Sequence, residues 1–228
     1  MAKIKIIDGY EFVEYKKDTY PEDEVVQRSA SFYGWMDKRR TVRDFSDKPI
    51  PKEVIDNIIK TASTAPSGAH KQPWTFAVIS NPDLKKKIRE AAEKEEYESY
   101  NSRMSEEWLD DLRPLQTDWH KPFLEIAPYL IIVFKKAYDL DEKGKKHNNY
   151  YVNESVGLAG GFLLTAIHHA GLVALTHTPS PMNFLTKLLD RPANERPVLL
   201  IPVGYPVEET YVPKLERKPL DEVAVYYE

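Results

Sequence analysis

Residues 129–135 read Tyr-Leu-Ile-Ile-Val-Phe-Lys, and residues 198–203 read Val-Leu-Leu-Ile-Pro-Val. They are the longest apolar runs in the chain, and both are strand-sized, too short to cross a bilayer as a helix. A strand that is apolar at successive positions, rather than at alternate ones, needs cover on both faces of its sheet. Helices must therefore lie on either side, and periodicity locates them. Pro51 stands where a helix can begin, and Val54, Ile55, Ile58, Ile59 and Ala62 recur at helical spacing until Pro66. Asn81 as N-cap and Pro82 at the first position open a second helix, with Leu84, Ile88 and Ala91 inward. Val152, Val156, Ala159, Phe162, Leu163, Ala166, Ile167 and Ala170 form the most apolar helix, stopped by Gly171. Gly157, Ala159, Gly160 and Gly161 leave that helix a smooth surface on which another helix, such as its own copy in a dimer, can approach closely.

Further strands are expected at 75–79 and 172–176, a short helix at 183–189, and a polar surface loop at 139–149. Helices alternating with strands, in a sheet whose order periodicity does not give, make an α+β fold or three-layer α/β sandwich. The 228 residues show no composition break, so a single domain is expected over 31–206. An acidic N-terminal arm without a sustained period (1–30) precedes it, and an extended tail (207–228) follows. Within the domain, residues 92–121 are helix-compatible but densely charged, with Tyr97, Tyr100, Trp108 and Trp119 and few core aliphatics. That pattern fits a solvated helical face or a mobile lid.

Composition removes several function classes. A net charge of -4 gives no field for holding nucleic acid or an acidic membrane. With no cysteine there is no disulfide, thiolate metal site, iron–sulfur cluster or catalytic thiol, so any redox chemistry must come from a cofactor. His70, His120, His147, His168, His169 and His177 never stand at metal-ligand spacing with carboxylates, and no metal site is expected. Nucleotide-binding glycine fingerprints, His-Glu-x-x-His and Gly-x-Ser-x-Gly are missing. The first residues lack the apolar core of a signal peptide, which predicts a cytoplasmic protein.

Two stretches remain. Residues 38–45, Lys-Arg-Arg-Thr-Val-Arg-Asp-Phe, crowd three guanidiniums and a hydroxyl together. Such a cluster suits phosphate oxygens, or is a solvated basic patch favouring the dipole of a helix read just before it from the amphipathic run Phe32, Trp35 and Met36. Residues 65–74, Ala-Pro-Ser-Gly-Ala-His-Lys-Gln-Pro-Trp, are a loop between helix and strand. Its Ser-Gly is either an ordinary turn or a place where backbone N–H groups approach a ligand.

Taken in order with Thr176-His177-Thr178, residues 202–206 (Pro-Val-Gly-Tyr-Pro) and Arg217, these stretches resemble the nitroreductase-like flavoproteins. Within them the chain is similar to the iodotyrosine deiodinases, from about Trp35 through Leu220. The resemblance implies an intertwined homodimer in which the C-terminal tail packs on the partner, and FMN as cofactor. Arg39, Arg40, Thr41, Arg43 and Arg217 match flavin-binding positions, with Thr41 where the family usually has Ser. Ser67 and Gly68 match the loop that approaches the flavin. The Thr176, His177, Thr178 segment matches further flavin contacts, and Thr178 the catalytic hydroxyl facing flavin N5, which favours its one-electron state.

Glu96, Tyr100 and Lys121 match the trio that grips a halotyrosine zwitterion; a Glu and a Lys complement its ammonium and carboxylate. Ala69 matches the backbone N–H that meets the phenolate, and Leu112 with Trp108 the apolar cover of the ring. The implied activity is reductive dehalogenation of 3-iodo- and 3,5-diiodo-L-tyrosine to L-tyrosine and halide, with NAD(P)H or a reductase as external electron donor. A membrane anchor of the mammalian type is not seen in the sequence, so a soluble, bacterial-type enzyme is expected. The residues leave two other readings open: a general NAD(P)H-dependent nitroreductase or quinone reductase, and a non-catalytic flavin- or tyrosine-binding protein.

Overall fold

A computed structural model describes residues 3–228, and the chain divides into two compact units, the first ending at Arg39 and the second beginning at Arg40. The first unit opens with strands β1 (Ile4–Ile7) and β2 (Tyr10–Val13), an antiparallel hairpin that turns at Asp8 and Gly9, both at positive φ. Helix α1 (Glu22–Met36) follows, with Glu22, Asp23 and Glu24 in its first turn, where negative charge suits the helix dipole. The stretch expected as an arm thus holds a hairpin and much of a helix, and the unit runs on to Arg39 rather than to residue 30. Its sequence lacks a period because α1 buries no residue, so nothing selects an apolar stripe. Met1 and Ala2 of the expected arm lie outside the described residues.

In the second unit the order is α2 (Lys52–Ala62), β3 (Trp74–Ile79), α3 (Pro82–Glu98), α4 (Glu106–Leu112), α5 (Phe123–Ile126), β4 (Tyr129–Lys136), β5 (Tyr138–Leu140) and β6 (Lys146–Asn148). Then come α6 (Val152–His169), β7 (Val173–Ala174), α7 (Asn183–Leu188), β8 (Glu195–Gly204) and α8 (Leu220–Val223). The main sheet is antiparallel in the order β3-β4-β8-β7, with Phe76 opposite Val133 and Ile131 opposite Ile201. Strand β4 sits inside it. Its Ile131 and Val133 pack with α2 and α6, while Leu130, Ile132 and Phe134 pack with α3, α5 and α7. This is the three-layer arrangement that the unbroken apolar run requires, and each fully buried side chain of β4 contributes roughly 1.5–3 kcal/mol.

Several local expectations need correction. Ala92, not Ala91, is the fully buried alanine of α3, because the Asn81 cap sets the helix phase from Leu84 onward. Lys85 also turns inward, where its ammonium donates to the carbonyls of Glu125 and Ala127 at the end of α5. The polar stretch expected as a loop at 139–149 contains the β5–β6 hairpin. The strand expected at 172–176 shrinks to Val173 and Ala174, and β8 extends beyond both ends of the apolar run.

Candidate functional site

The arginine stretch is extended, and its apolar residues explain why. Val42 and Phe45 are buried, and the backbone between them follows the sheet edge: Thr41 bridges Ala174 in parallel, and Ser46 N–H donates to Tyr205 O at 2.9 Å. Phe45 fits because residue 204 is glycine; a Cβ there would lie 2.9 Å from the Phe45 ring. With Val42 and Phe45 turned inward, Arg40, Thr41 and Arg43 stay half-buried at the surface. Arg40 donates to the carbonyl of Pro213, tying the extended tail to this stretch. Arg217 lies further along that exposed tail, and Arg39 closes the first unit with an N–H to Met36 O at 3.0 Å. Burial holds the Arg43 guanidinium below the usual arginine range, and Tyr100 and Asp44 offset only part of that.

The loop after α2 is tightly wound, with Ala69, His70 and Gln72 all at positive φ. Ser67 Oγ accepts from Gln72 N–H at 2.9 Å, and Gly68 N–H donates to Ser155 Oγ at 3.3 Å. His70 and Lys71 N–H groups are also used, whereas among the described residues the Ala69 N–H donates to none. The loop thus presents one spare donor at the position matched to the phenolate contact. Gly68 has a packing reason of its own: a Cβ would stand 2.8 Å from Tyr150 O and 2.9 Å from the Tyr151 ring. Gly68→Ala is expected to lower stability by about 1–3 kcal/mol, a cost of overpacking readable by urea unfolding.

Helix α3 ends in a single wide turn, Ser99–Arg103, closed by Met104 N–H to Ser99 O at 2.9 Å. That turn and the chain before α5 gather the charged trio. Lys121 and Glu96 are only 3% and 8% exposed, with Nζ and Oε2 3.4 Å apart. Lys121 Nζ also donates to Thr117 Oγ1 at 3.3 Å and to the Asp118 carbonyl, and lies 5.4 Å from the centre of the Tyr100 ring. Tyr100 O–H donates to Thr117 O at 3.2 Å, and the Lys121 N–H to Glu93 Oε1 at 2.8 Å.

Burial outweighs attraction on both sides of this pair. The Glu96 carboxyl is raised despite Lys121, and the Lys121 ammonium is lowered despite Glu96, with Arg43 lowering it further. Burial also raises the Tyr100 phenol. Arg43, expected only at the flavin, is therefore also coupled to the trio. Leu112 is half-buried at the end of α4 and Trp108 is exposed, so the expected ring cover is only partly packed.

The segment after β7 alternates: Leu175, His177 and Pro179 are buried, Thr176 and Thr178 exposed. His177 therefore points away from the face that carries the two threonine hydroxyls, because successive side chains of an extended chain oppose one another. Its Nε2 lies 3.8 Å from Glu96 Oε1, and its ring stands edge-on to Phe123. Burial, then the charges of Lys121 and Arg43, push its pKa down to about 3, so it is neutral at ordinary pH. Of the three residues matched to flavin contacts, Thr176 and Thr178 are exposed on one face and the His177 side chain is buried on the other.

Sequence reading also missed a link between this segment and the wide turn. The Ser180 carbonyl accepts from Arg103 at 2.9 Å and from Ser99 Oγ at 3.4 Å, and Arg103 also pairs with Glu95 at 2.9 Å. Only the i, i+8 spacing of Glu95 and Arg103 hinted at it. Arg103 is exposed, so each contact contributes less than about 1 kcal/mol. Arg103→Ala is expected to leave the midpoint of unfolding nearly unchanged while cleavage within 99–121 quickens several-fold in limited proteolysis.

A model of the nitroreductase family matches residues 36–205, three-quarters of the chain. The chain belongs to the nitroreductase family. Within that family it is 66% identical over 216 residues to the iodotyrosine deiodinase of Haliscomenobacter hydrossis, covering 95% of this chain and 97% of that one. It is 50% identical over 219 residues to the iodotyrosine deiodinase of Hydra vulgaris, covering 96% and 80%. Its fold superposes with a TM-score of 0.73 on a crystal structure of oxidized iodotyrosine deiodinase bound to FMN and 3-iodo-L-tyrosine, at 36% identity over 86% of this chain and 98% of that one. Among the described residues no helix of this nitroreductase-family chain is long and apolar enough to cross a membrane, and no His, Cys, Asp and Glu cluster is arranged to hold a metal.

Proposed function

We propose that this chain is an FMN-dependent iodotyrosine deiodinase that converts 3-iodo- and 3,5-diiodo-L-tyrosine to L-tyrosine and halide. The observation that carries the reading is the buried Glu96–Lys121 pair beside Tyr100. A cation and an anion that are both desolvated at the expense of their charged forms gain when a zwitterion offers each a new partner. The substrate ammonium takes Glu96, its carboxylate takes Lys121, and the Tyr100 phenol adds a hydrogen bond. Closing this segment over the ligand excludes water and strengthens every one of those contacts.

The residues fit FMN. Arg43 is a desolvated guanidinium whose neighbours compensate it incompletely, and Arg40 and the Thr41 hydroxyl stand beside it on one pinned strand. Arg39, Arg40, Thr41, Arg43 and Arg217 would hold the cofactor, with Ser67, Gly68, Thr176 and the Thr178 hydroxyl toward its ring. FMN, when bound, supplies the two electrons that, with a proton, replace the carbon–halogen bond by carbon–hydrogen and release halide. An ortho halogen lowers the phenol's pKa, and the spare Ala69 N–H is a fixed donor for the resulting phenolate.

We assign the functional form as a homodimer in the cytoplasm, with NAD(P)H or a reductase as electron donor and residues 92–121 as its lid. The exposed Gly157, Leu158, Gly161 and Phe162 on α6 support an interface there. Anaerobic mixing of the reduced holoprotein with diiodotyrosine tests the activity: flavin reoxidation with stoichiometric iodide is expected. Reoxidation by nitroarenes with no iodide from diiodotyrosine would leave a general nitroreductase instead.

A further inference from the structure

The Glu96 carboxylate has two oxygens, and Lys121 accounts for one. The other, Oε1, faces the imidazole of His177 at 3.8 Å. His177 is only 7% exposed, and its Nε2 is a buried nitrogen with no hydrogen-bond partner among the described residues. An orphaned polar atom at this depth costs stability, and a partner gained on ligand binding is one reason to keep it. The ring is held firmly. Its backbone exchanges both hydrogen bonds with Leu200 at 2.9 Å, and Phe123 meets it edge-on at 5.9 Å.

We propose that His177 is a positioning residue for substrate recognition: its Nε2–H donates to Glu96 Oε1 when the substrate is bound, leaving Oε2 for the ligand's ammonium. This rests on the deiodinase reading. Recognition requires the Glu96–Lys121 pair to open, and a carboxylate released from its lysine needs a second anchor to stay aimed. A neutral donor suits that place. An imidazolium would stand among Lys121 and Arg43, whose charges already oppose protonation, and would compete with the incoming ammonium for Glu96. Ser99 and Arg103 bind the Ser180 carbonyl three residues on, so the same segment meets the wide turn at two points.

The test uses the oxidised holoprotein and reads ligand binding by quenching of flavin fluorescence. It compares 3-iodo-L-tyrosine with its analogue lacking the amino group, 3-(4-hydroxy-3-iodophenyl)propionate. Loss of a donor to a carboxylate predicts that His177→Phe weakens iodotyrosine binding roughly 10- to 100-fold and the des-amino acid by less than about threefold, with His177→Gln restoring most of the difference. Equal weakening for both ligands, or no weakening for either, overturns the proposal. Nitrogen NMR on the unaltered protein gives a measurement independent of variant folding. The His177 Nε2 is expected to carry a proton that moves downfield with iodotyrosine but not with the des-amino acid; an unprotonated Nε2 in the complex overturns it. Failure of the unaltered protein to bind iodotyrosine at all would instead sink the deiodinase reading.

Discussion

Lys121→Ala is expected to lower kcat/KM for 3-iodo-L-tyrosine by about 100-fold or more, as truncation of one partner of a buried charge pair commonly does. Two losses combine. The substrate carboxylate loses its cation, and Glu96 is left buried with its main counter-charge gone. Lys121 is what now pulls the Glu96 carboxyl down against burial, so in the variant that carboxyl titrates at still higher pH. The remaining activity should therefore rise with pH, as Glu96 recovers the charge that binds the ammonium. Steady-state kinetics with iodotyrosine, beside reduction of a nitroarene that has no zwitterion to hold, separates this from general damage. Equal loss with both substrates would falsify the assignment of Lys121 to zwitterion binding.

The double variant Glu96→Gln, Lys121→Met is expected to bind no iodotyrosine yet to unfold at higher denaturant, by about 1–4 kcal/mol, the range in which buried ion pairs yield to neutral residues of similar volume. The pH dependence of the unaltered protein carries the same information. Glu96 is raised in the fold, so its contribution is fully present below its ordinary value of 4.5 and is lost as pH rises through the folded value. Lys121 is lowered, so its contribution is present above its ordinary value of 10.5 and is lost as pH falls through the folded value. Between the two folded values both contributions are lost, and the pair sits at its least stabilising. Urea unfolding across pH should show that local minimum filled in by the double variant. A variant less stable than the parent near pH 7 would mean that attraction, not burial, dominates. A more stable variant, the expected result, means that the pair is kept for recognition at the expense of stability.

Much of the layer structure was legible because it is written locally. Val54 to Ala62 repeats at helical spacing, Asn81 and Pro82 mark a helix start, and the run through Ile131, Ile132 and Val133 tolerates no solvent-facing side. The hairpin β5–β6 and the part of α1 before Phe32 were missed for a common reason: their residues are mostly or wholly exposed, so no burial period is imposed on them. The trio's residue types were legible too, but the contacts that hold Lys121 were not. Thr117 and the Asp118 carbonyl reach it through an irregular chain whose path no periodicity predicts.

The sequence by itself determined the chemistry on offer: guanidiniums and a hydroxyl for an anionic cofactor, a Glu and a Lys for a zwitterion, and no thiol or metal set to compete with a flavin. Only the tertiary structure decided how those groups are used. It turned Val42 and Phe45 inward so that the arginines stay out, and left the Ala69 N–H unspent. It also buried Glu96 against Lys121 and set His177 on the face opposite Thr176 and Thr178. The physical reason is range. Residue type and local period act within one element, whereas burial, desolvation and the choice of partner arise where segments distant in sequence pack together.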